Sequence, residues 1–428
     1  MLFFSQSEPR EKITFRKNDL QRMNMFIKSK KIAMLVVFLA FWMGIIAQPN
    51  QVHLSWSGNK VKTFSNITVS WISKDSQKPE FVVYSNGATD FSKVKAQKTV
   101  VEGRSVYKVS LKNLRPSTIY TYRCGSDETG WSENYTFKTA PLPGERKAFK
   151  VSVWGDTQNN EFNEQFEKTT QIVEQMIPMK PDFILHMGDL VNNGSVTSDW
   201  LSFLEVSRPI NAFAPMMLTL GNHDIVNLHG EHFQKPFSTF PQLFPLPGDG
   251  LDYSFDYGNT HFVCVFSGLA KSASESGLLR YSPNSEEYRW LKKDLAKARK
   301  NSRFDWIVVY THYPLHSFGW SNVAQWKEAV TPLLEKYQVD LCLSGHRHVY
   351  ERHHPLKSGI PAPDGKGTVY ITNGTSGGSP QGLGGKDMPT MAYTSTEKTY
   401  NYALMTIDGK KLIYEVFDLN SKKIDELI

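Results

Sequence analysis

Residues 183–189 read Phe183-Ile184-Leu185-His186-Met187-Gly188-Asp189, a short apolar run that passes into a glycine and then a carboxylate. The run has the length of a buried strand. The glycine lets the backbone turn sharply, so that the next side chain points away from the strand end. The same grammar recurs at four other places. Trp154-Gly155-Asp156-Thr157-Gln158 follows the apolar run 149–154, and Gly221-Asn222-His223-Asp224 follows 216–220. Thr311-His312-Tyr313-Pro314 follows 306–310, and Ser344-Gly345-His346-Arg347-His348 follows 339–343. Further strands are predicted at 261–266 and 368–372, and helices at 163–177, 284–299 and 323–337. Strands alternating with helices predict an α/β layered domain over residues 148–420. It ends in a hairpin over 402–418 that turns at Asp408-Gly409.

Upstream the texture differs. Between residues 51 and 140 the pattern is short β-rich runs at 66–72, 80–84, 105–111, 119–124 and 134–138, with no helical period. This predicts a small all-β sandwich. Leu114-Arg115-Pro116-Ser117-Thr118-Ile119-Tyr120 resembles the tyrosine corner of fibronectin type III domains, and Trp71 is the expected core tryptophan. Pro141-Leu142-Pro143-Gly144-Glu145 then forms a stiff linker. A chain of 428 residues is long enough for two folded units and a targeting segment.

The targeting segment is residues 1–47. Lys28, Lys30 and Lys31 precede a continuous apolar run over 32–47, shorter than the roughly 20 residues a membrane span needs. It reads as a signal peptide h-region and predicts export, with an uncleaved anchor as the alternative and no stable transmembrane span. This leader carries eight Lys/Arg against three Asp/Glu and so supplies +5 of the formal +7, leaving +2 for the rest. A near-neutral body gives no electrostatic footprint of a nucleic-acid partner. The three cysteines, Cys124, Cys264 and Cys342, are far apart in sequence and offer neither a disulfide framework nor zinc-finger spacing.

The five strand ends carry the chemistry. Asp, Asn and His together make a mixed oxygen and imidazole donor set, suited to Mn, Fe or Zn rather than to calcium alone. A pair of cations needs a bridging carboxylate, and Asp189 is the candidate. Two such cations lower the pKa of a bound water to supply hydroxide and neutralise phosphoryl oxygens as charge builds. The leaving alkoxide needs a proton, which His223 can donate, with Asp224 a candidate to orient its ring. Two imidazoles at i and i+2, His346 and His348, are the most specific of these signals. His316, four positions after His312, is a weaker candidate to meet substrate. His353 and His354 are expected to face solvent, and the loop 373–378 to border the cleft.

The order Asp…Gly-Asp…Gly-Asn-His…His…Gly-His-x-His resembles the calcineurin-like metallophosphoesterases. Gly345-His346-Arg347-His348-Val349-Tyr350-Glu351-Arg352, behind a fibronectin-like domain opening Gln51-Val52-His53-Leu54, is similar to the purple acid phosphatases in particular. The resemblance implies two central sheets flanked by helices, four layers in all, with a dimetal site at one edge. It implies that Asp156, Asp189 and His348 hold a first cation and that Asp189, Asn222, His312 and His346 hold a second. His223 matches the leaving-group acid, and the substrate is a phosphate ester attacked in line by metal-bound hydroxide.

Two positions depart from the pattern. Purple acid phosphatases place a tyrosine three positions after the bridging Asp, where this chain has Asn192; many relatives place a histidine two positions after the first Asp, where it has Gln158. Gln158 and Asn192 are candidate ligands through their amide oxygens. Neither is anionic, so two divalent ions (Mn, Fe or Zn) are expected rather than Fe(III). The expected activity is an acid-phosphatase-like phosphomonoesterase, with a phosphodiesterase as the alternative. A catalytically inactive binding or adhesion protein is the competing class, which loss of a principal ligand would favour; all of them are present.

Overall fold

The computed structural model describes residues 49–73, 78–87, 89–158, 166–225, 234–268, 281–318, 324–382, 389–394 and 398–428. The leader 1–47 and its h-region lie outside the described residues, as do the first positions of the helices predicted at 163–177 and 323–337.

The N-terminal part is the predicted β sandwich. One sheet orders Asn50–Ser55, Ile67–Ser73, Arg104–Leu111 and Gln97–Val101. The other orders Ser92–Lys95, Phe81–Ser85, Ile119–Ser126 and Gly130–Trp131, with Tyr135–Lys138 also paired to Ile119–Ser126. Trp71 is fully buried, stacks on Tyr107 at 5.5 Å between ring centroids, and donates its indole N–H to Glu80. The tyrosine corner is formed: the Tyr120 hydroxyl accepts the Arg115 amide at 2.9 Å. That bond pins the start of strand Ile119–Ser126 to the loop before it.

The remainder is built on two sheets packed face to face. A six-stranded sheet orders Met216–Leu218, Phe183–His186, Phe149–Trp154, Asn401–Asp408, Lys411–Asp418 and Lys423–Leu427. A seven-stranded sheet orders Tyr253–Tyr257, Thr260–Cys264, Trp306–Tyr310, Leu341–Ser344, Val369–Asn373, Tyr350–His353 and Met391–Thr394. Phe183 of the first meets Phe262 of the second at 5.2 Å. Strand periodicity assigns the layers. Val308 and Tyr310 join the core between the sheets, whereas Ile307 and Val309 join a second core with Leu291, Leu295, Val330 and Leu334 of helices Glu286–Lys300 and Ala324–Lys336. On the other side Trp154 and His186 turn outward onto Phe203 of helix Thr197–Asn211. Ser285 caps Glu286–Lys300 by accepting the Tyr288 amide.

The sandwich packs directly on this domain. Trp56 lies 5.6 Å from both Phe183 and Phe255, His53 Nε2 lies 2.7 Å from the Leu243 carbonyl, and the Tyr122 hydroxyl donates to the Ala212 carbonyl at 2.7 Å. The three cysteines are free and buried.

One ion cluster away from the strand ends sets a pH dependence. His261 is held between Asp256 Oδ1 at 2.7 Å and Asp294 Oδ2 at 2.9 Å. Burial alone would lower the imidazole, but its hydrogen bonds to the two carboxylates outweigh burial and raise it to about 9. A raised folded-state value contributes stability that is fully present below the unfolded value near 6.5 and is lost as pH rises to 9. Because Asp256 is partly open to solvent, the loss is expected to be roughly 1–2 kcal/mol. Urea unfolding at pH 6 and pH 9.5 measures it, and His261→Gln should flatten the difference. An equal drop in that variant would remove His261 as its source.

Candidate metal centre

All five polar strand ends meet at one edge of the paired sheets. Three of the residues that bring them there sit in the left-handed region, Asp156 at φ 56°, Asp189 at φ 53° and His346 at φ 66°. Non-glycine residues adopt this conformation at a cost, and the close network around the site holds them in it. The Asp156 amide bonds to the Gly188 carbonyl, the Thr157 amide to the Asp189 carbonyl and the Gly345 amide to the His312 carbonyl. The loops are thereby laced to one another by main-chain bonds. Space is as restricted as the backbone: a Cβ on Gly221 would lie 2.1 Å from Asp189 Oδ1, and one on Gly345 2.3 Å from Asp156 Oδ2.

Asp189 is the hub. Its Oδ1 accepts the His223 amide at 2.8 Å, and its Oδ2 lies 3.3 Å from His312 Nε2 and 3.1 Å from Gln158 Nε2. Asp189, His312 and His346 each bring one donor atom within 4.8 Å of the others. Asn222 joins them: its Oδ1 lies 3.1 Å from His312 Nε2 and 2.8 Å from His346 Nδ1. His312 Nδ1 donates to the Met187 carbonyl at 2.8 Å, which leaves Nε2 facing the cluster. A main-chain acceptor behind an imidazole is the usual way of orienting a metal-binding histidine.

The electrostatics suit a cation. Burial alone would lower His312, but the charge on Asp189 outweighs it and raises the ring to about 9. Burial would likewise raise Asp189, yet the neighbouring imidazoles, His312 foremost, hold its carboxyl below the ordinary range. The proton drawn to His312 marks where positive charge is stabilised. Burial and the His312 charge push His346 well below 6.5, so that ring is neutral and has a lone pair to give. A carboxylate, an amide oxygen and two imidazoles within mutual reach therefore fit a divalent transition metal.

Asp156 and His348 lie on the buried side. Both Asp156 oxygens accept the His346 amide, at 2.8 and 2.9 Å, and Oδ1 is 3.6 Å from His348 Nε2. His348 Nδ1 donates to the Ser379 carbonyl at 3.0 Å. Gln158 is fully buried between Asp189 and His348 and meets both through its nitrogen: Nε2 lies 3.1 Å from Asp189 Oδ2 and 3.3 Å from His348 Nε2. Its amide oxygen, the atom expected to serve as a ligand, is buried and makes no hydrogen bond among the described residues. Asn192, expected to act through its side chain, meets the site through its main-chain carbonyl, which accepts His223 Nδ1–H at 3.0 Å.

That carbonyl, rather than Asp224, orients the His223 ring. Asp224 is fully buried, with Oδ1 accepting the Leu190 and Val191 amides and Oδ2 the Gly221 amide. It ties two of the strand-end loops together, its oxygens placed on main-chain amides rather than on the His223 ring. Burial and the nearby Asp189 charge raise its carboxyl to about 8.

His316 is also placed elsewhere. It is buried in the second core, its ring 4.4 Å from Tyr370 and 6.0 Å from His353, and burial lowers it to about 3. His353, expected in solvent, is buried with it, whereas His354 is exposed. The loop 373–378 does border the site, but two of its donors are spent on the protein: the Gly378 amide bonds to the Asp156 carbonyl and the Ser376 amide to the Gly155 carbonyl.

Several supports are invisible in sequence. The carbonyls of Met187, Asn192 and Ser379 carry no residue signature at all. His186 is legible only as a histidine at a strand end; its Nδ1 accepts the Gly188 amide and its Nε2 lies 3.2 Å from Thr157 Oγ1. Tyr313, whose ring lies 4.4 Å from that of His346, adjoins a predicted ligand.

Comparison with known proteins agrees with this geometry. Residues 149–350 match the family described as calcineurin-like phosphoesterase, and residues 49–139 match the purple acid phosphatase N-terminal domain. The chain is 27% identical over 355 residues to probable purple acid phosphatase 20 of Arabidopsis thaliana, covering 79% of this chain and 76% of that one. It is 29% identical over 372 residues to human acid phosphatase type 7, covering 77% and 78%. In fold it is similar to the purple acid phosphatase PPD1 from yellow lupin seeds, with a TM-score of 0.76 at 21% identity over 89% of this chain and 74% of that one. The chain thus carries a calcineurin-like metallophosphoesterase domain behind a purple acid phosphatase N-terminal domain and is a metal-dependent phosphoester hydrolase.

Proposed function

We propose that the protein is an exported phosphomonoesterase in which Asp189, Asn222, His312 and His346 hold a divalent Mn, Fe or Zn ion, the second of the pair, beside the first cation's place at Asp156, Asp189 and His348. The observation that carries this reading is the convergence of Asp189, Asn222, His312 and His346 donor atoms on one point. Bound divalent ions would supply Lewis acidity toward the phosphoryl oxygens and the attacking water. The chain's own residues do the rest. Asn222, His223 and His346 are half-buried while Asp156, Asp189 and His312 are buried, so substrate approaches from the side of the former. His223 Nδ1–H is engaged by the Asn192 carbonyl and its Nε2 has no partner among the described residues, which suits that nitrogen to deliver a proton to the leaving oxygen. Export rests on the leader's charge and apolar run, and the division into units 51–140 and 148–420 on the change of texture at the linker. Among the described residues no helix is long and apolar enough to cross a membrane.

The purified chain, supplied with Mn(II) or Zn(II), is expected to release phosphate from an aryl phosphate faster than it cleaves the matching bis-aryl diester. Preference for the diester would turn the reading to a phosphodiesterase, and no turnover of either would favour the inactive binding protein. With Asn192 where the tyrosinate would stand, the enzyme is expected to be colourless. A visible charge-transfer band would overturn the assignment to divalent metal.

A further inference from the structure

The amide of Gln158 is placed where the first of two cations would lie. His348 Nδ1 donates to the Ser379 carbonyl, so its Nε2 presents a bare lone pair. Asp189 Oδ2 is a carboxylate oxygen and also an acceptor. The Gln158 atom between them, 3.1 Å from one and 3.3 Å from the other, must therefore be the NH2 group and not the oxygen. The opposite orientation would set three acceptors against one another in a fully buried space. A cation bound to the same two atoms would stand about 2.0–2.2 Å from each and would face the amide's partly positive hydrogens instead of a lone pair. With the amide turned this way the place disfavours a cation.

The remaining donors of that half are also engaged. Both Asp156 oxygens accept the His346 amide, whereas Asp189, His312 and His346 are gathered as a group without them. Gln158 is fully buried, so its side chain has no solvent to swing into.

We propose that the Gln158 NH2 group is a neutral stand-in for the first cation, bridging Asp189 and His348 by hydrogen bonds, so that the chain holds a single divalent ion tightly, at Asp189, Asn222, His312 and His346. This rests on the metal-dependent hydrolase reading and narrows it. Partial positive charge on the amide hydrogens satisfies Asp189 and the His348 lone pair, as a metal would, without adding formal charge. The site is then asymmetric: the open half takes metal, and the buried half is closed by protein.

The test counts metal rather than turnover. The full chain is loaded with excess Mn(II), desalted into chelator-treated buffer and assayed for manganese per chain, with calorimetric titration of Mn(II) alongside. About one ion per wild-type chain is expected. His346→Ala should abolish retention and His348→Ala should keep it. Gln158→His, which restores an imidazole beside the first place, should raise retention toward about two. Should that variant fail to fold by circular dichroism, the wild-type count and the two histidine variants decide. Two tightly held ions in wild type, or one that His348→Ala removes and His346→Ala spares, would overturn this proposal alone. No retained manganese in wild type would overturn the hydrolase reading with it.

Discussion

Asp189→Ala is expected to lose metal retention and phosphoesterase activity together, with kcat/KM falling by roughly a thousandfold or more, on the order of 4 kcal/mol in the transition state. The size follows from how much this carboxylate does at once. It is the only anion in the donor group with His312 and His346, it accepts the His223 amide, and its other oxygen faces both His312 and Gln158. Without it the imidazoles lose the charge that draws a cation to them, and the helical turn Asn222–Ile225 loses an anchor at His223. The fold should survive, because without Asp189 the buried His312 ring gives up its extra proton and no unpaired charge is left inside. Metal content, circular dichroism and turnover measured on one preparation check this. A folded variant with full metal and full activity would refute the site.

The second large effect separates by substrate. His223→Ala should retain wild-type metal content, since its ring is turned toward the Asn192 carbonyl and not toward the donor group. Alkyl phosphates, whose leaving oxygen must be protonated, should slow by about 10²–10⁴-fold. A 4-nitrophenyl ester leaves as a stabilised anion and should slow by less than about tenfold. Rates plotted against leaving-group pKa should therefore steepen in the variant. Equal losses on both esters would assign His223 to binding or structure instead.

Much of this architecture is legible in the sequence. The strands Phe149–Trp154, Phe183–His186 and Trp306–Tyr310 stand where their apolar runs place them, because each is buried over most of its length, with only Lys150 exposed. Helix Thr197–Asn211 was missed. Its apolar face, Trp200, Phe203, Leu204 and Ile210, has helical spacing, but Thr197, Ser198, Ser202 and Ser207 weaken its propensity and Pro209 lies near its end. Packing overrode weak propensity there. His353 was expected in solvent because nothing local shows that Tyr350–His353 pairs with both Val369–Asn373 and Met391–Thr394.

At the site, side chains that bear donors were readable and the atoms that aim them were not. Asp189, Asn222, His312 and His346 announce themselves by type and position. The Ser379 carbonyl that sets the His348 ring, and through it the orientation of Gln158, belongs to a loop far along the chain and has no signature of its own. Asp224 follows a histidine and so reads as chemistry, whereas the three main-chain amides that meet its oxygens come from loops that no local pattern joins.

Gly221 and Gly345 carry no functional group, yet their α-carbons press so closely on Asp189 and Asp156 that even a methyl has no place to go. In a scan of every position, Gly221→Ala and Gly345→Ala should score with the ligands themselves. The clearance around a carboxylate is thus inherited along with the carboxylate, and lineages that drift at either glycine should lose the chemistry with every ligand still in place.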